Sequence, residues 1–521
     1  MQGTSFSLFK LLILVFKKVL FSLMLIVTVG NLASAQEMFG YVNSNYAGIT
    51  GIRLNPTAIV NSKLYFDLNI IGLHINADNN FIYLSKDQYK FSRFLSTNPS
   101  FPEHDVQVSA TRIERRVYYD HYNQDLKNAY TEVQLLGPSV MYTINDKAFG
   151  LTTSVRTIGS GYNIPYEIAK FGVEGFDYYP QHRIRYIDNK DFRAGGISFA
   201  EISATYAQVL YKRNMDHVTV GVTLKGLLGL AGAYWHVDNA DYMLPNGDTL
   251  ILFNGNAEMG MSLPIDYSNN KSTLPNQLIK GTGIGADIGI TYQKKMKGHT
   301  NKRYTACEQP FEDYFYKIGF SLIDFGYVNF KKNIRQVELV DASGSWFDFT
   351  NQNLKTVDEL FNSMSNAFGG SSKVKINQDP FKVFLPSAAS IQFDYRYNEK
   401  IYINASIVYP LLTNKNTIAR PSTISVAPRY ETDKFELALP VTLYNYKYPR
   451  IGLSARFAKF VIGTDKLGGF FGLNQFTGLD IYFMVKLSLI KGHCLGEGKG
   501  GTCSNMEFKQ YQRSKKRIKV D

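Results

Sequence analysis

Tryptophan and cysteine are scarce in this sequence, at 2 and 3 among 521 residues. So few cysteines exclude a disulfide framework as the source of stability. Cys494 and Cys503 are near enough in sequence to close one small disulfide loop, and Cys307 is left over. The eight histidines show no metal-ligand spacing such as His-Glu-x-x-His, and no Gly-x-Ser-x-Gly nucleophile elbow occurs. No catalytic residue, metal ligand or cofactor site is read from the chain, and it is expected not to be an enzyme. Gly281-Thr282-Gly283-Ile284-Gly285 lacks the Lys followed by Ser or Thr of a phosphate loop and runs into a strand pattern, so it reads as close packing in a wall. Long apolar runs are also missing: after residue 35 none approaches the ~18 residues of a membrane helix.

What is present begins with an export signal over residues 1–35. Lys10, Lys17 and Lys18 supply its positive region, Val19 to Val29 is apolar or small throughout, and Ala33-Ser34-Ala35 fits the small-residue cleavage pattern. Cleavage there leaves Gln36 as the mature N-terminus. The formal charge of +13 falls to +10 without the three signal lysines. About half of the remainder lies in residues 491–521, a basic tail expected on the periplasmic side. No nucleic-acid motif accompanies this charge, and export excludes a nucleic-acid partner.

Aromatic residues other than tryptophan are abundant, with 35 Tyr and 36 Phe, and the mean hydropathy is −0.17. Near-neutral hydropathy combined with strand-favouring residues suits a wall in which alternate side chains face lipid. Strict alternation recurs along the chain. Ile284, Ala286, Ile288, Ile290 and Tyr292 share one face, opposite Gly285, Asp287, Gly289, Thr291 and Gln293. Phe435, Leu437, Leu439, Val441 and Leu443 oppose Glu436, Ala438, Pro440 and Thr442; Leu479 to Leu489 alternates in the same way. Several segments reach the ~9–11 residues that a membrane-spanning strand needs, where soluble strands average ~5–6.

Connection lengths alternate too. Tight turns at Asn145-Asp146, Lys212–Asp216, Tyr397–Lys400 and Glu431–Lys434 separate long segments at 159–195, 235–281 and 331–385. Short periplasmic turns and long external loops are the habit of outer-membrane barrels. The expected fold is therefore all-β: a transmembrane antiparallel up-and-down β-barrel over 62–490, of about 14 strands within a range of 12–16. Asn246-Gly247 predicts a hairpin within one long loop. Thr356 and Glu359 form a capping-box pattern ahead of Val357, Leu360, Phe361, Met364 and Phe368, which predicts a short amphipathic helix in another. Tyr162, Tyr166, Tyr178, Tyr179, Trp235 and Trp346 lie in or beside these loops as a candidate contact surface.

On the alternation, the side turned away from lipid carries Asp67, Arg156, Lys225, Asp287, Asp394, Arg396, Glu436, Asp480 and Lys486. Their mixed signs predict an internal ion-pair network or a polar conduit. No cluster of apolar residues is legible on the same side.

Three places resemble known barrels. Ser44-Asn45-Tyr46-Ala47-Gly48 followed by Leu54-Asn55-Pro56-Thr57-Ala58 resembles the Asn-Pro-Ala hatch segment of FadL-like barrels, a group that includes PorV-type secretion barrels. Thr356–Phe368 with Phe384-Leu385-Pro386-Ser387 looks like the loop helix and next strand of an uncharacterised outer-membrane family common in Bacteroidota. Gly463-Thr464-Asp465-Lys466-Leu467-Gly468-Gly469 with Thr477-Gly478-Leu479-Asp480-Ile481-Tyr482 is similar to that family's C-terminal signature. The resemblance implies a lumenal hatch over 36–61, with Asn55 and Pro56 at its turn. It also implies an outer-membrane location, lipid as the surrounding partner, and passage of small hydrophobic solutes. PorV relatives imply the alternative, a barrel that binds surface or periplasmic proteins in secretion.

Overall fold

The computed structural model describes residues 37–86, 102–108, 111–144, 146–176, 178–274, 277–300, 312–348 and 356–489. The export signal, the basic tail, Asn145 and all three cysteines, with the Cys494–Cys503 pairing, lie outside the described residues.

Fourteen antiparallel strands close a barrel. They are β1 (Phe66–Asn79), β2 (Lys127–Leu136, resumed at Ser139–Ile144), β3 (Lys147–Ile164), β4 (Phe192–Arg213), β5 (Asp216–Asn246), β6 (Gly281–Thr300) and β7 (Glu312–Phe330), followed by β8 (Phe381–Phe384 and Ala388–Arg396), β9 (Ile401–Pro410), β10 (Thr423–Glu431), β11 (Phe435–Ala438 and Val441–Tyr444), β12 (Tyr448–Ile451 and Leu453–Phe457), β13 (Phe460–Thr464) and β14 (Gly478–Leu489). Each strand pairs with its chain neighbours. β14 returns to β1 in a register from Phe66↔Leu489 to Asp78↔Gly478, which leaves the sheet no edge.

Alternation sets the two faces. Ile284, Ile288, Leu224, Leu439 and Ile462 are exposed on the outside, while Thr223, Asp287, Thr291 and Ala438 are buried inside. Among the described residues, the turns at one rim are tight and satisfy their own backbone. Asn214, between β4 and β5, takes the left-handed conformation that Asn tolerates. Asn398 accepts from the backbone of Lys400 and Ile401, and Thr432 Oγ1 accepts from Phe435 N.

At the other rim the strands outgrow the wall. β5 runs for 31 residues, roughly 100 Å if fully extended, far beyond a bilayer core. Its upper part turns at Asn246-Gly247-Asp248 into Thr249–Ser262, which pairs with Ile334–Trp346, itself paired with Val374–Asn377. α1 (Tyr166–Glu174) lies in the loop after β3, and α2 (Val357–Ala367) packs on the extended sheet. Thr356 caps α2 through a reciprocal capping box with Glu359. Val357, Leu360, Phe361 and Phe368 then form an apolar core with Trp346, Val337 and Val374. Trp346 is thus an interior residue whose Nε1 donates to Ser363 Oγ at 3.0 Å. It does not contribute to the contact surface expected of it.

Two bulges shift the face pattern. In β1 the register slips between Asn69 and Ile71, so Ile70 and Ile71 both point outward. In β7, Ile323 and Asp324 together oppose Asp287, and both are buried.

A candidate solute path through the barrel interior

The segment Glu37–Leu64 is almost wholly buried and contains two 3-10 turns, Gly48–Arg53 and Pro56–Ile59. Its partners lie on strands all around the wall, which places it inside the barrel. It reaches the interior from the tight-turn rim, where Lys63 precedes β1. Lys63 Nζ pairs with Glu431 at 3.1 Å and donates to Tyr402 at 3.0 Å. Asn45 donates to Glu431 and accepts from Tyr314 (2.9 Å) and Lys317 (3.1 Å). Ser44 donates to Glu436 and Phe39 N to Asp465, each at 2.7 Å.

Asn55 and Pro56 occupy a notch of glycines. Asn55 Oδ1 accepts from Thr57 N, capping the second turn, and its Nδ2 donates to Gln392 at 3.0 Å. Gly221 of β5 and Gly289 of β6 are opposite one another in register. A Cβ on Gly221 would stand 2.8 Å from Pro56, and one on Gly289 only 2.1 Å from Asn55 Oδ1. Glycine is required there because the chain touches the wall backbone.

The nine charged residues expected inside are all buried. Asp67 pairs with Lys486 at 2.8 Å and accepts from Ile49 N. Lys486 also donates to Ala47 O at 2.6 Å. Asp394 takes both arms of Arg429, at 3.0 and 2.7 Å. Arg396 faces Asp313 at 3.5 Å, and Glu436 pairs with Arg456 at 3.2 Å. Asp480 stands opposite Asn76 in the β1–β14 register. Arg156, Lys225 and Asp287 converge on Asp324. Arg156 grips it with two hydrogen bonds of 2.9 and 3.1 Å, Lys225 lies 2.7 Å from it and 2.8 Å from Asp287, and Arg420 reaches it at 2.9 Å. Glu132 sits 3.0 Å from Arg156, and Arg53 of the N-terminal segment is 3.4 Å from Glu132. Low local dielectric makes such a network strong when complete and costly when broken.

Sequence reading missed Asp324, Glu132, Arg420, Arg429 and Glu431. The bulge at Asp324 breaks the alternation that would have placed it inside. Arg420 lies in the loop 411–422, outside any strand pattern. Glu431 marks a turn, where alternation ends.

Above this network the interior changes character. Ile158, Phe199, Leu227, Val328, Phe330 and Phe381, from five strands, form a buried apolar cluster that Ile418 enters from the loop 411–422. That loop folds over the long-loop end: Ala419 N donates to Ser160 Oγ of β3 at 3.0 Å, and Ile418 N donates to Phe384 O at 3.1 Å. Beside it lies a cavity of about 350 Å³ lined by the buried Tyr130 and Tyr444, by Tyr162 and Arg420, and at its outer side by the exposed Tyr409 and Tyr446. A smaller cavity of about 50 Å³ lies within the charged network, and Arg420 lines it as well. The interior therefore offers an aromatic mouth, an apolar shoulder and a charged waist filled by the N-terminal segment. Among the described residues no group of His, Cys, Asp and Glu is arranged to hold a metal ion.

Among solved structures the chain is similar to the Pseudomonas putida toluene transporter TodX, at 11% identity over 88% of this chain and 98% of that one, with a TM-score of 0.38. It is similar to the Ralstonia pickettii toluene transporter TbuX at 9% identity over the same shares, with a TM-score of 0.37. A Pseudomonas aeruginosa FadL homologue matches at 7% identity over 88% of this chain and 98% of that one, with a TM-score of 0.22. No curated protein matches the sequence. Residues 56–465 match a family described as a family of unknown function (DUF5723), and the chain belongs to that family.

Proposed function

We propose that this protein sits in the outer membrane and passes small solutes with an apolar body, using Glu37–Leu64 as a hatch. The carrying observation is the position of that segment: it stands between the tyrosine-walled mouth and the tight-turn rim. It is held there by buried hydrogen bonds and ion pairs and by apolar contacts such as Ile49 and Ile59 with Met141 and Ala207, so opening a path requires the segment to move as a unit. A solute entering at the mouth meets aromatic and apolar surface first, then a charged waist closed by the segment. On this reading the signal is removed after Ala35, and the tight-turn rim and basic tail face the periplasm.

Deleting Glu37–Tyr46 tests the hatch in planar bilayers. Single-channel conductance is expected to rise above that of the intact chain. A barrel still closed after the deletion overturns the hatch reading. Orientation is tested with an epitope tag near Gly247 and another at Asn398 in intact cells, where antibody is expected to reach only the first. N-terminal sequencing of the mature protein tests cleavage, with Gln36 expected first.

A further inference from the structure

On the outer face at the long-loop rim, three neighbouring strands lead to lysine. Up the outward side of β7, Phe325, Tyr327 and Asn329 alternate with buried Val328 and Phe330 and end at Lys331. Lys331 N donates to the carbonyl of Lys280, the residue before β6, at 3.0 Å. Asn329 stands opposite Lys382 of β8, whose Nζ lies 4.4 Å from the centre of the Tyr327 ring. Lys331, Lys332 and Lys382 are exposed, whereas Lys280 is buried and donates only to the neutral Thr273 and Gln277. Among the described residues no carboxylate pairs with any of the four. By contrast, Lys375, Lys415 and Lys447, exposed at the same end, each have one, at 3.4, 2.9 and 2.6 Å. The height of the row follows from β6. Lys280 is twelve residues from Tyr292, whose ring packs on Tyr316 towards the tight-turn rim. Twelve residues cover about 40 Å of strand, or about 30 Å of height at a tilt of about 40°. The apolar band of such barrels is about 25 Å tall. The lysines therefore stand just beyond its edge, with the exposed Ile284 and Phe325 beneath them.

We infer that Lys331, Lys332 and Lys382 form a binding site for a lipid whose headgroup carries phosphate, with its acyl chains along Ile284 and Phe325. A row of ammonium groups without carboxylate partners, at headgroup height, is complementary to that anion. Adjacent strands lie about 4.8 Å apart, so a row across three of them spans roughly 10 Å and suits a headgroup with two phosphates. Lys280 adds a buried positive charge that no protein anion offsets, a cost that a phosphate nearby relieves. A free phosphate has nothing to place on the apolar rungs beneath, whereas acyl chains cover them. The inference rests on the outer-membrane reading above and is independent of the hatch.

The test titrates the full mature protein in uncharged detergent with diphosphorylated lipid A, with its dephosphorylated form and with inorganic phosphate, and reads bound lipid by native mass spectrometry. The diphosphorylated lipid is expected to bind at least about tenfold more tightly than the dephosphorylated one. Lys331→Gln, Lys332→Gln and Lys382→Gln together are expected to erase that preference. Lys375→Gln, Lys415→Gln and Lys447→Gln together remove the same charge from paired positions and are expected to change it by less than about twofold. Each single substitution in the first set is expected to weaken the phosphorylated lipid severalfold, which keeps the site testable if the triple variant fails to fold. Equal binding of the two lipid forms, or equal loss in the two triple variants, overturns the site. Displacement of the lipid by inorganic phosphate at equal concentration overturns a lipid as the occupant. Recovery of the protein outside the outer membrane overturns the reading on which the inference rests. Recovery within it, with no preference for the phosphorylated lipid, overturns the site alone.

Discussion

The barrel and the module above its long-loop rim are built in opposite senses. In the barrel, Ile284, Ile288 and Leu439 are outside, and the waist is packed with Arg156, Asp324, Lys225 and their partners. In the module, Val357, Leu360, Phe361 and Trp346 are inside, and charged pairs such as Lys375–Glu338 lie on the surface. The same chain, through the same long strand β5, obeys both arrangements. The medium outside decides the sense: lipid accepts apolar side chains on the outer face and allows the waist to be polar, whereas water drives apolar side chains inward.

The largest expected effect comes from breaking the inverted core. Asp324→Ala leaves Arg156, Lys225 and Arg420 without their shared carboxylate and is expected to cost about 3–5 kcal/mol. The measurement is the folding equilibrium in urea, read by heat-modifiable migration. A loss below about 1 kcal/mol, the range of exposed pairs, would show that water already satisfies these charges. Next is the outer face. Ile288→Arg is expected to destabilise insertion by about 2–4 kcal/mol if the residue lies near the bilayer midplane. Its neighbour Gly289→Ala should act differently, since a methyl there would stand 2.1 Å from Asn55 Oδ1. Its effect is expected in protease access to Arg53, with insertion unchanged. Equal responses at the two positions would erase the distinction between faces.

Smaller effects belong to the module. Leu360→Ala is expected to cost about 2–3 kcal/mol, confined to faster amide exchange over residues 357–367 while the barrel keeps its protection. Thr356→Ala removes the cap of α2 and is expected to cost about 1 kcal/mol by the same readout. Global loss of protection in either variant would show that module and barrel fold as one unit. The smallest concerns Asp188 in the loop strand Arg185–Asp188, whose pKa is pushed up to about 6, first by burial and then by Glu167. A raised carboxyl pKa means that the folded state holds the proton more tightly than the unfolded chain. Its contribution to stability is full below the unfolded value near 4 and is lost as pH rises through about 6. Asp188→Asn is expected to flatten local amide-exchange stability between pH 4 and pH 6; an unchanged slope would assign that dependence to another group.

Much of the fold is legible because local patterns and the surrounding medium agree. Alternation at 283–293 and 434–443 needs only a period of two and a lipid exterior. The capping box at Thr356 and the Asn-Gly turn at 246–247 are completed within a few residues. The interior site is less legible because its partners are far apart in sequence. Arg156 meets Asp324 across 168 positions, and Phe39 meets Asp465 across 426. From the sequence Gly289 is only one member of the face turned away from lipid, and nothing singles out Gly221. Only the passage of Asn55 and Pro56 across them shows why a side chain is excluded.

By itself, the sequence determined a β-barrel of about fourteen strands, which residues face lipid, and where the loop helix begins, since each follows from side-chain spacing of a few residues. Tertiary structure alone decided that Asp324 turns inward, that Trp346 is core, and that Arg420 joins the mouth to the waist. A bulge reverses faces, a loop folds back over the barrel's own opening, and closure brings strands from opposite ends of the chain together, none of which is written in a local period.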